Sequence, residues 1–283
     1  MKDSIFFSIN ICCYNSSKFL KETIDSVINQ SFKEWELVII NDGSVDNTEK
    51  IILEYKTKGY PITYFYQKNK GYAFARNKAI ELSKAEWIVI LDHDDICEES
   101  RLINHYNEIK KLPNKKLFFG NCIYLNNLKN KIDKFTIFYN KFNINLTSLN
   151  LKKIISSNNL IKYGCFIAST TVVFSKKTSL EIKGFNENYK YISDYDFFFK
   201  FSLKEDLYCS NNIFCYWREH IDQSSHKNKI VMNLELNKFY MSLYSNNNLS
   251  LFTKINLFFI HFVLFIRIIY YYFKIKFNLF NIN

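Results

Sequence analysis

Ile88-Val89-Ile90-Leu91-Asp92-His93-Asp94-Asp95 is the stretch that decides how this chain reads. An apolar, β-branched run stops abruptly, and three carboxylates follow within four positions. A short apolar run bounded in this way predicts a strand buried on both faces. In an open α/β sheet, ligands sit just beyond the carboxyl ends of such strands. Carboxylates this close repel one another unless a cation holds them, and hard oxygens suit magnesium or manganese. Magnesium usually brings a phosphate-bearing substrate, so the motif points to a metal-diphosphate site at the end of a central strand. The plainer alternative is that Asp94, Asp95, Glu98 and Glu99 only cap and charge a helix starting near Ser100.

Upstream, apolar strands and amphipathic helices alternate. Phe6–Cys12 reads as a strand ending in Cys13-Tyr14-Asn15, after which Ser16 or Ser17 can cap a helix carrying Leu20, Ile24, Val27 and Ile28 on one face. Leu37–Ile40 is a second strand, ending in Asn41-Asp42-Gly43, and a helix with Ile51, Ile52 and Tyr55 inward follows it. Ile62–Tyr66 is a third strand, Gly71–Leu82 a third helix, and Trp87–Leu91 the fourth strand. Such alternation predicts a parallel sheet with right-handed crossovers. A parallel sheet gathers Tyr14, Asn15, Asp42, Asp92 and Asp94 along one edge, a convergence that capping alone does not explain.

Downstream, a helix runs from about Ser100 to Lys111 before Pro113, and Asn126–Asn150 is polar and aperiodic, which predicts an insertion or loop. Thr170–Phe174 reads as a strand. Ile192-Ser193-Asp194-Tyr195-Asp196 opens an aromatic helix to Leu203, whose Tyr195, Phe197, Phe198, Phe199 and Phe201 belong to the core. Phe214–Trp217 is a strand ending in Arg218-Glu219-His220. Ile255–Phe273 is almost wholly apolar, interrupted by Asn256, His261 and Arg267 and flanked by Lys254, Lys274 and Lys276.

The 283 residues are enough for one large domain with an appendage, and 48% hydrophobic content excludes a disordered chain. A net charge of +11 favours phosphates or an anionic membrane face. No zinc-finger spacing and no aromatic-basic RNA signature occurs, so no nucleic-acid partner is expected. Seven cysteines without a C-x-x-C pair, in a chain whose first apolar run lacks a basic lead and a cleavage site, predict reduced thiols and a cytoplasmic location. Six isolated glycines exclude a G-x-G-x-x-G loop and a Walker loop.

Together these motifs resemble family 2 glycosyltransferases, the inverting, nucleotide-sugar-dependent enzymes of GT-A (Rossmann-like) fold. Ser8–Asn15 resembles the family's opening strand, with Cys12 where proline is usual. Gln30-Ser31-Phe32 through Ile39–Asp46 resembles its second signature, Asn69-Lys70-Gly71 with Ala75-Arg76-Asn77 its third, and Leu91–Asp95 its D-x-D metal motif. Gly184-Phe185-Asn186-Glu187 and Ser193–Asp196 resemble its Glu-Asp-Tyr-Asp segment, with Ser193 in place of the first acid. Tyr216–His220 resembles its late Tyr-Arg-x-His element with one extra residue.

The resemblance implies an α/β, mostly parallel sheet flanked by helices, with a GT-A domain over 1–225 (nucleotide-binding half 1–95, acceptor half 96–225); the apolar composition of 255–273 predicts a helical tail over 226–283. The resemblance also implies Tyr14, Asn15 and Asp42 around the nucleoside, Arg76 at the base or diphosphate, and Asp92 near ribose and metal. Asp94 and His220 would be further metal ligands for Mn2+ or Mg2+, and Asp194 the general base for inverting transfer to a glycan or lipid-linked acceptor in surface polysaccharide synthesis. UDP-sugars are the family's usual donors. The tail is expected to lie on the cytoplasmic face of the inner membrane, or to pair two copies into a homodimer. Some of these residues have plainer readings: Asp42-Gly43 as a turn, Asp194 as a helix N-cap, Asp95 as a cap and His220 as a strand-end histidine. Two other functions are weighed beside transfer. One is a nucleotide-sugar-binding scaffold without catalysis. The other is a sugar-nucleotide nucleotidyltransferase, which would want a glycine-rich loop where Cys13–Ser17 stands.

Overall fold

The computed structural model describes residues 5–125, 133–142, 154–220, 223, 229–244, 262 and 266. Four parallel strands form its first half: β1 (Phe7–Cys13), β2 (Trp35–Asp42), β3 (Ile62–Gln67) and β4 (Trp87–Ile90). Helices α1 (Leu20–Ile28), α2 (Thr48–Thr57) and α3 (Tyr72–Leu82) connect them. β1 lies between β2 and β4, with Ile9 opposite both Leu37 and Val89. The apolar run read from the sequence is thus a central strand. On β4, Val89 enters one hydrophobic cluster while Ile88 and Ile90 enter another, as a strand with two covered faces requires.

The second half continues the same sheet. It comprises β5 (Ile96–Cys97), α4 (Arg101–Lys111), β6 (Leu117–Tyr124), α5 (Lys134–Phe142), β7 (Ile154–Ile155), α6 (Ser157–Tyr163), β8 (Val173–Ser175), α7 (Lys176–Glu181), α8 (Ser193–Lys204), β9 (Leu207–Trp217) and α9 (Lys229–Tyr244). The strand order is β3-β2-β1-β4-β8-β6-β9-β5, with β7 also on β9. β8 is antiparallel to both β4 and β6, and β9 is parallel to β6, so β6 and β9 point the same way as β4. Their carboxyl ends therefore share one edge with Asp42 and Asp92. Arg101 secures that edge from below: fully buried, it donates Nη2 to the carbonyls of Ile90 (3.0 Å) and Val172 (3.3 Å).

Several sequence expectations change. Ser16 does not cap α1: its Oγ accepts from the Tyr14 N–H, and its own N–H donates to Thr48 Oγ1, tying the β1 loop to the start of α2. The strand expected over Thr170–Phe174 is a 3-10 turn (Ser169–Thr171) followed by β8, because Thr171 Oγ1 turns back to the Ala168 carbonyl. Part of the expected loop 126–150 is α5, started by Asp133, which accepts from the Thr136 N–H and hydroxyl. Phe138 of α5 is buried among Phe166 and its neighbours. β6 was not foreseen, and β9 begins seven residues earlier than expected, at Leu207 rather than Phe214. Asp95 is not a helix cap either, since β5 separates it from α4 and the Ser100 N–H is taken by Glu98.

The aromatic residues of α8 are core, as expected, with Phe197 and Phe199 at 0% and 2% exposure. α9 belongs to the same cluster through Phe239, Tyr240 and Leu243, although it lies in the segment read as tail. The apolar stretch 255–273 lies outside the described residues except for Phe262 and Ile266, both exposed. Among the described residues, no helix is long and apolar enough to cross a membrane. Phe197 stacks on Phe185 at 4.0 Å with a 9° interplanar angle. Phe197→Ala should therefore cost about 3–5 kcal/mol of stability, read as a lower urea midpoint; an unchanged midpoint would refute this packing.

Candidate active site

The edge is built from three groups of residues. The outer one begins with Asp42 at the end of β2. Its Oδ1 accepts from Gln67 Nε2 (2.7 Å) and the Lys70 N–H (2.9 Å), and its Oδ2 accepts from the Gly71 N–H (2.9 Å). Asp42 thus clamps the 69–71 loop that launches α3, and is more than a turn former. Gly43 follows at φ +80°, a conformation that favours glycine, and a Cβ there would come within 2.7 Å of the Asn69 backbone nitrogen. Asn15, at φ +50°, ties the β1 loop to the β2 loop: its N–H donates to Ser44 Oγ and its Oδ1 accepts from the Val45 N–H, each at 2.9 Å. Tyr14 stands beside it, 51% exposed.

The inner group centres on Arg76. One turn into α3, its guanidinium is buried, with only 4% of the side chain exposed. Nη1 donates to Asp194 Oδ1 of α8, and Nη2 donates to Asp92 Oδ1 (3.2 Å) and to the Tyr72 hydroxyl (3.1 Å). The ring of Tyr72 lies 4.2 Å from the guanidinium carbon and that of Phe185 5.1 Å, so two π faces assist the buried cation. Asp92 also accepts from the Tyr72 hydroxyl, and from Ser169 Oγ at 3.2 Å. Burial pushes the Asp194 carboxyl above the ordinary value of 3.8; Arg76 opposes that shift, Asp92 reinforces it and Ser169 opposes it. Asp194 sits within the first turn of α8, whose N-cap is Ile192. It is therefore an ion-pair partner inside the helix and not its cap.

The third group joins the segment after β4 to the segment after β9. His220 Nε2 and Asp94 Oδ2 are 2.8 Å apart. Asp95 is fully buried and accepts the Arg218 N–H at 3.0 Å, while Arg218 Nε donates to the Asp94 carbonyl at 3.0 Å. Arg218 also donates to Glu22 on α1 (2.6 Å) and lies 4.4 Å over the Phe19 ring. Burial, with Asp92 and Asp94 nearby, raises the Asp95 carboxyl well above 3.8, against the opposing hydrogen bonds from the Arg218 N–H and the Thr170 side chain.

The sequence-derived residues are thus sorted into three sets. Asp42 and Asn15 shape the outer loops beside Tyr14, Arg76 joins Asp92 to Asp194, and Asp94 joins His220. Asp92 does not converge with Asp94 and His220, and among the described residues no three His, Cys, Asp or Glu side chains form a metal-holding group. Asp94 and His220 nonetheless fit as a two-residue holder, because a divalent cation on a diphosphate takes its remaining positions from phosphate oxygens and water. Sequence reasoning missed Tyr72, Ser169 and Arg218 as members of the site. Arg218 stood in the quoted motif, but Tyr72 and Ser169 look like ordinary helix and turn residues until the fold is known.

With this geometry in place, comparison with known proteins is decisive. The family model for glycosyl transferase family 2 matches residues 8–169. The chain belongs to this family. An uncharacterized glycosyltransferase of Rickettsia typhi is 31% identical over 218 residues, covering 77% of the chain. The chain spans 65% of that relative's length. S. aureus TarS 1–349 in complex with UDP-GlcNAc superposes with a TM-score of 0.70 at 18% identity, covering 89% of this chain and 70% of that 1–349 chain. The mannosyltransferase PcManGT of Pyrobaculum calidifontis, in complex with GDP-Man and Mn2+, gives 0.68 at 15% identity, covering 92% and 70%. The family's α/β fold of GT-A type, a mostly parallel sheet flanked by helices, is the one described above.

Gly43→Ala should force the β2 loop away from Asn69 and loosen the Asp42 clamp, costing about 1–3 kcal/mol. Chemical denaturation measures this; a variant as stable as the parent would contradict the close approach at Asn69.

Proposed function

We propose that this chain transfers a sugar from a nucleotide-sugar to an acceptor hydroxyl with inversion, aided by a divalent cation. The observation that supports this best is the Arg76 bridge, which joins the strand-end acid Asp92 to Asp194 on a helix of the other half, in a chain of this family. Asp42 and Tyr14, with Asn15 holding their loops, form the nucleoside side of the site. Asp92 stands between the nucleoside and the reacting centre. Asp94 and His220 would hold the cation, which when bound neutralises charge on the departing diphosphate.

Asp194 accepts the proton of the acceptor hydroxyl as that oxygen attacks the anomeric carbon. Arg76 occupies Oδ1, leaving Oδ2 as the oxygen to face the hydroxyl. A carboxyl raised by burial is a stronger base than a solvated aspartate, and pairing with Arg76 keeps its orientation fixed. The acceptor is a glycan or a lipid-linked sugar, delivered at a membrane surface by the segment 255–273. That segment's basic flanks suit the anionic cytoplasmic leaflet, and a helix-paired homodimer is the other arrangement it would support. The donor is a UDP-sugar or another nucleotide-sugar; the neighbours named above bind UDP-GlcNAc and GDP-Man.

Asp194→Asn should lower transfer by roughly 10²–10⁴-fold while nucleotide binding stays near the parent value. Assays with UDP-GlcNAc and GDP-Man, followed by product release, measure it; retained turnover would remove Asp194 from the role of base. The ionised form of Asp194 is the working one, so kcat/KM should fall as pH is lowered. The raised carboxyl places that acidic limb above pH 3.8. A limb at or below the value of a free aspartate would contradict the assignment. Asp94→Ala should remove the part of nucleotide affinity that depends on Mn2+, measured by calorimetry with and without chelator; equal metal enhancement in the variant would clear Asp94 of that role.

A further inference from the structure

The helix that carries Asp194 is not capped by its own sequence. Ile192 occupies the N-cap position of α8 and provides no side-chain acceptor. The three residues before Ser193 send their N–H groups instead into one carboxylate from a distant helix. Lys190 donates to Glu235 Oε1 at 2.8 Å, Tyr191 to Oε2 at 2.8 Å and Ile192 to Oε2 at 3.3 Å. Successive N–H groups converging on one anion form a nest, and a carboxylate there also complements the positive end of the helix dipole. Glu235 lies on α9, and one turn further on Phe239 and Tyr240 grip the next residue of α8. The Tyr195 hydroxyl is 2.9 Å from that of Tyr240, and the rings of Tyr195 and Phe239 are 4.9 Å apart. Asp194 is thus held on one side by Arg76 and framed on both chain sides, at 190–192 and at 195, by α9.

We infer that Glu235 is a positioning residue for the transfer reaction: its carboxylate fixes the 190–192 backbone and through it the place of Asp194. The inference rests on Asp194 being the base. Glu235 is not among the groups that set the Asp194 carboxyl's proton affinity, which are burial, Arg76, Asp92 and Ser169. It acts by geometry. Without it three N–H groups lose their shared acceptor, the start of α8 relaxes toward water, and the attacking hydroxyl meets a displaced base. The nucleotide side is untouched, because Asp42, Asp92 and Asp94 are held by other elements.

The test compares the full chain with Glu235→Ala, Glu235→Gln and Asp194→Asn, using UDP and GDP as binding probes and UDP-GlcNAc and GDP-Man as donors. Binding-competent sites are counted by calorimetry, so that kcat is expressed per folded, nucleotide-binding molecule. Glu235→Ala should lower kcat about 10–100-fold, the scale of an ångström's misplacement at a reacting centre, with donor KM and nucleotide affinity within about twofold of the parent. Glu235→Gln, which keeps an acceptor oxygen for two of the three N–H groups, should recover most of the rate. If the alanine form does not fold, Glu235→Asp, whose shorter stem draws the carboxylate away from the 190–192 N–H groups, is the measured variant: a selective loss of kcat is expected, and a parental kcat per site overturns the inference. A Glu235→Ala protein with parental kcat per site overturns the inference, as does an equal loss in nucleotide affinity and rate. If Asp194→Asn keeps full turnover, the assignment of the base fails and this inference falls with it. If Asp194→Asn is inactive and Glu235→Ala is not impaired, only this inference falls.

Discussion

One buried cation holds the two halves of this molecule to a common centre. Arg76 comes from the third helix of the first half, and its guanidinium lies between Asp92, just beyond β4, and Asp194 on α8. Taking a guanidinium out of water is costly unless opposite charge and hydrogen bonds meet it, and here two carboxylates, a tyrosine hydroxyl and two aromatic faces do so. Removing Arg76 would leave two neighbouring carboxylates without their shared cation, a loss of the order of 3–5 kcal/mol for buried pairs. A lysine would not replace Arg76, because an ammonium cannot reach both acids with the fixed fork of a guanidinium. The arrangement gives Asp194, the strand-end acid Asp92 and the cation between them one geometry.

That centre explains why a second connection exists beside it. Asp94 and His220 are 126 positions apart and meet at 2.8 Å, because Arg218 stitches the segment after β9 onto the Asp94 carbonyl, Asp95 and Glu22. The antiparallel insertion of β8 between β4 and β6 makes this possible, since it turns β6 and β9 into the direction of the first four strands. Residues that follow β4 and β9 can then converge on one edge of the sheet.

The first half was legible in the sequence because its strands are short apolar runs with polar ends, which few structures other than a parallel sheet satisfy. Asp42, Asp92, Asp94 and Asp194 could be named from motifs, and the carboxyl-edge location followed from topology. Their partners could not. Asp42 looks like half of a turn until the 69–71 backbone is seen to donate to it. Asp92 and Asp94 look like one metal pair from spacing alone, yet a turn in which the Asp95 N–H donates to the Asp92 carbonyl lies between them, and they face different partners. β6 was obscured because Leu117–Tyr124 mixes Gly120, Asn121 and Cys122 into its apolar run, and Gly120 is needed where Phe214 packs against the backbone. α5 was obscured by the polar, aperiodic composition around it. Glu235 carried no signal, since a glutamate on a helix is ordinary and its N–H donors lie more than forty residues away.

The most direct test of the central ion-pair claim is a double-mutant cycle between Arg76→Lys and Asp194→Glu, read in kcat/KM for transfer. Both substitutions keep charge and remove only the fitted geometry. A shared bridge requires the two losses to be strongly non-additive, with a coupling energy of about 1–3 kcal/mol. Losses that simply add would show that Arg76 and Asp194 act independently, and the account of a single Arg76-centred site would fail.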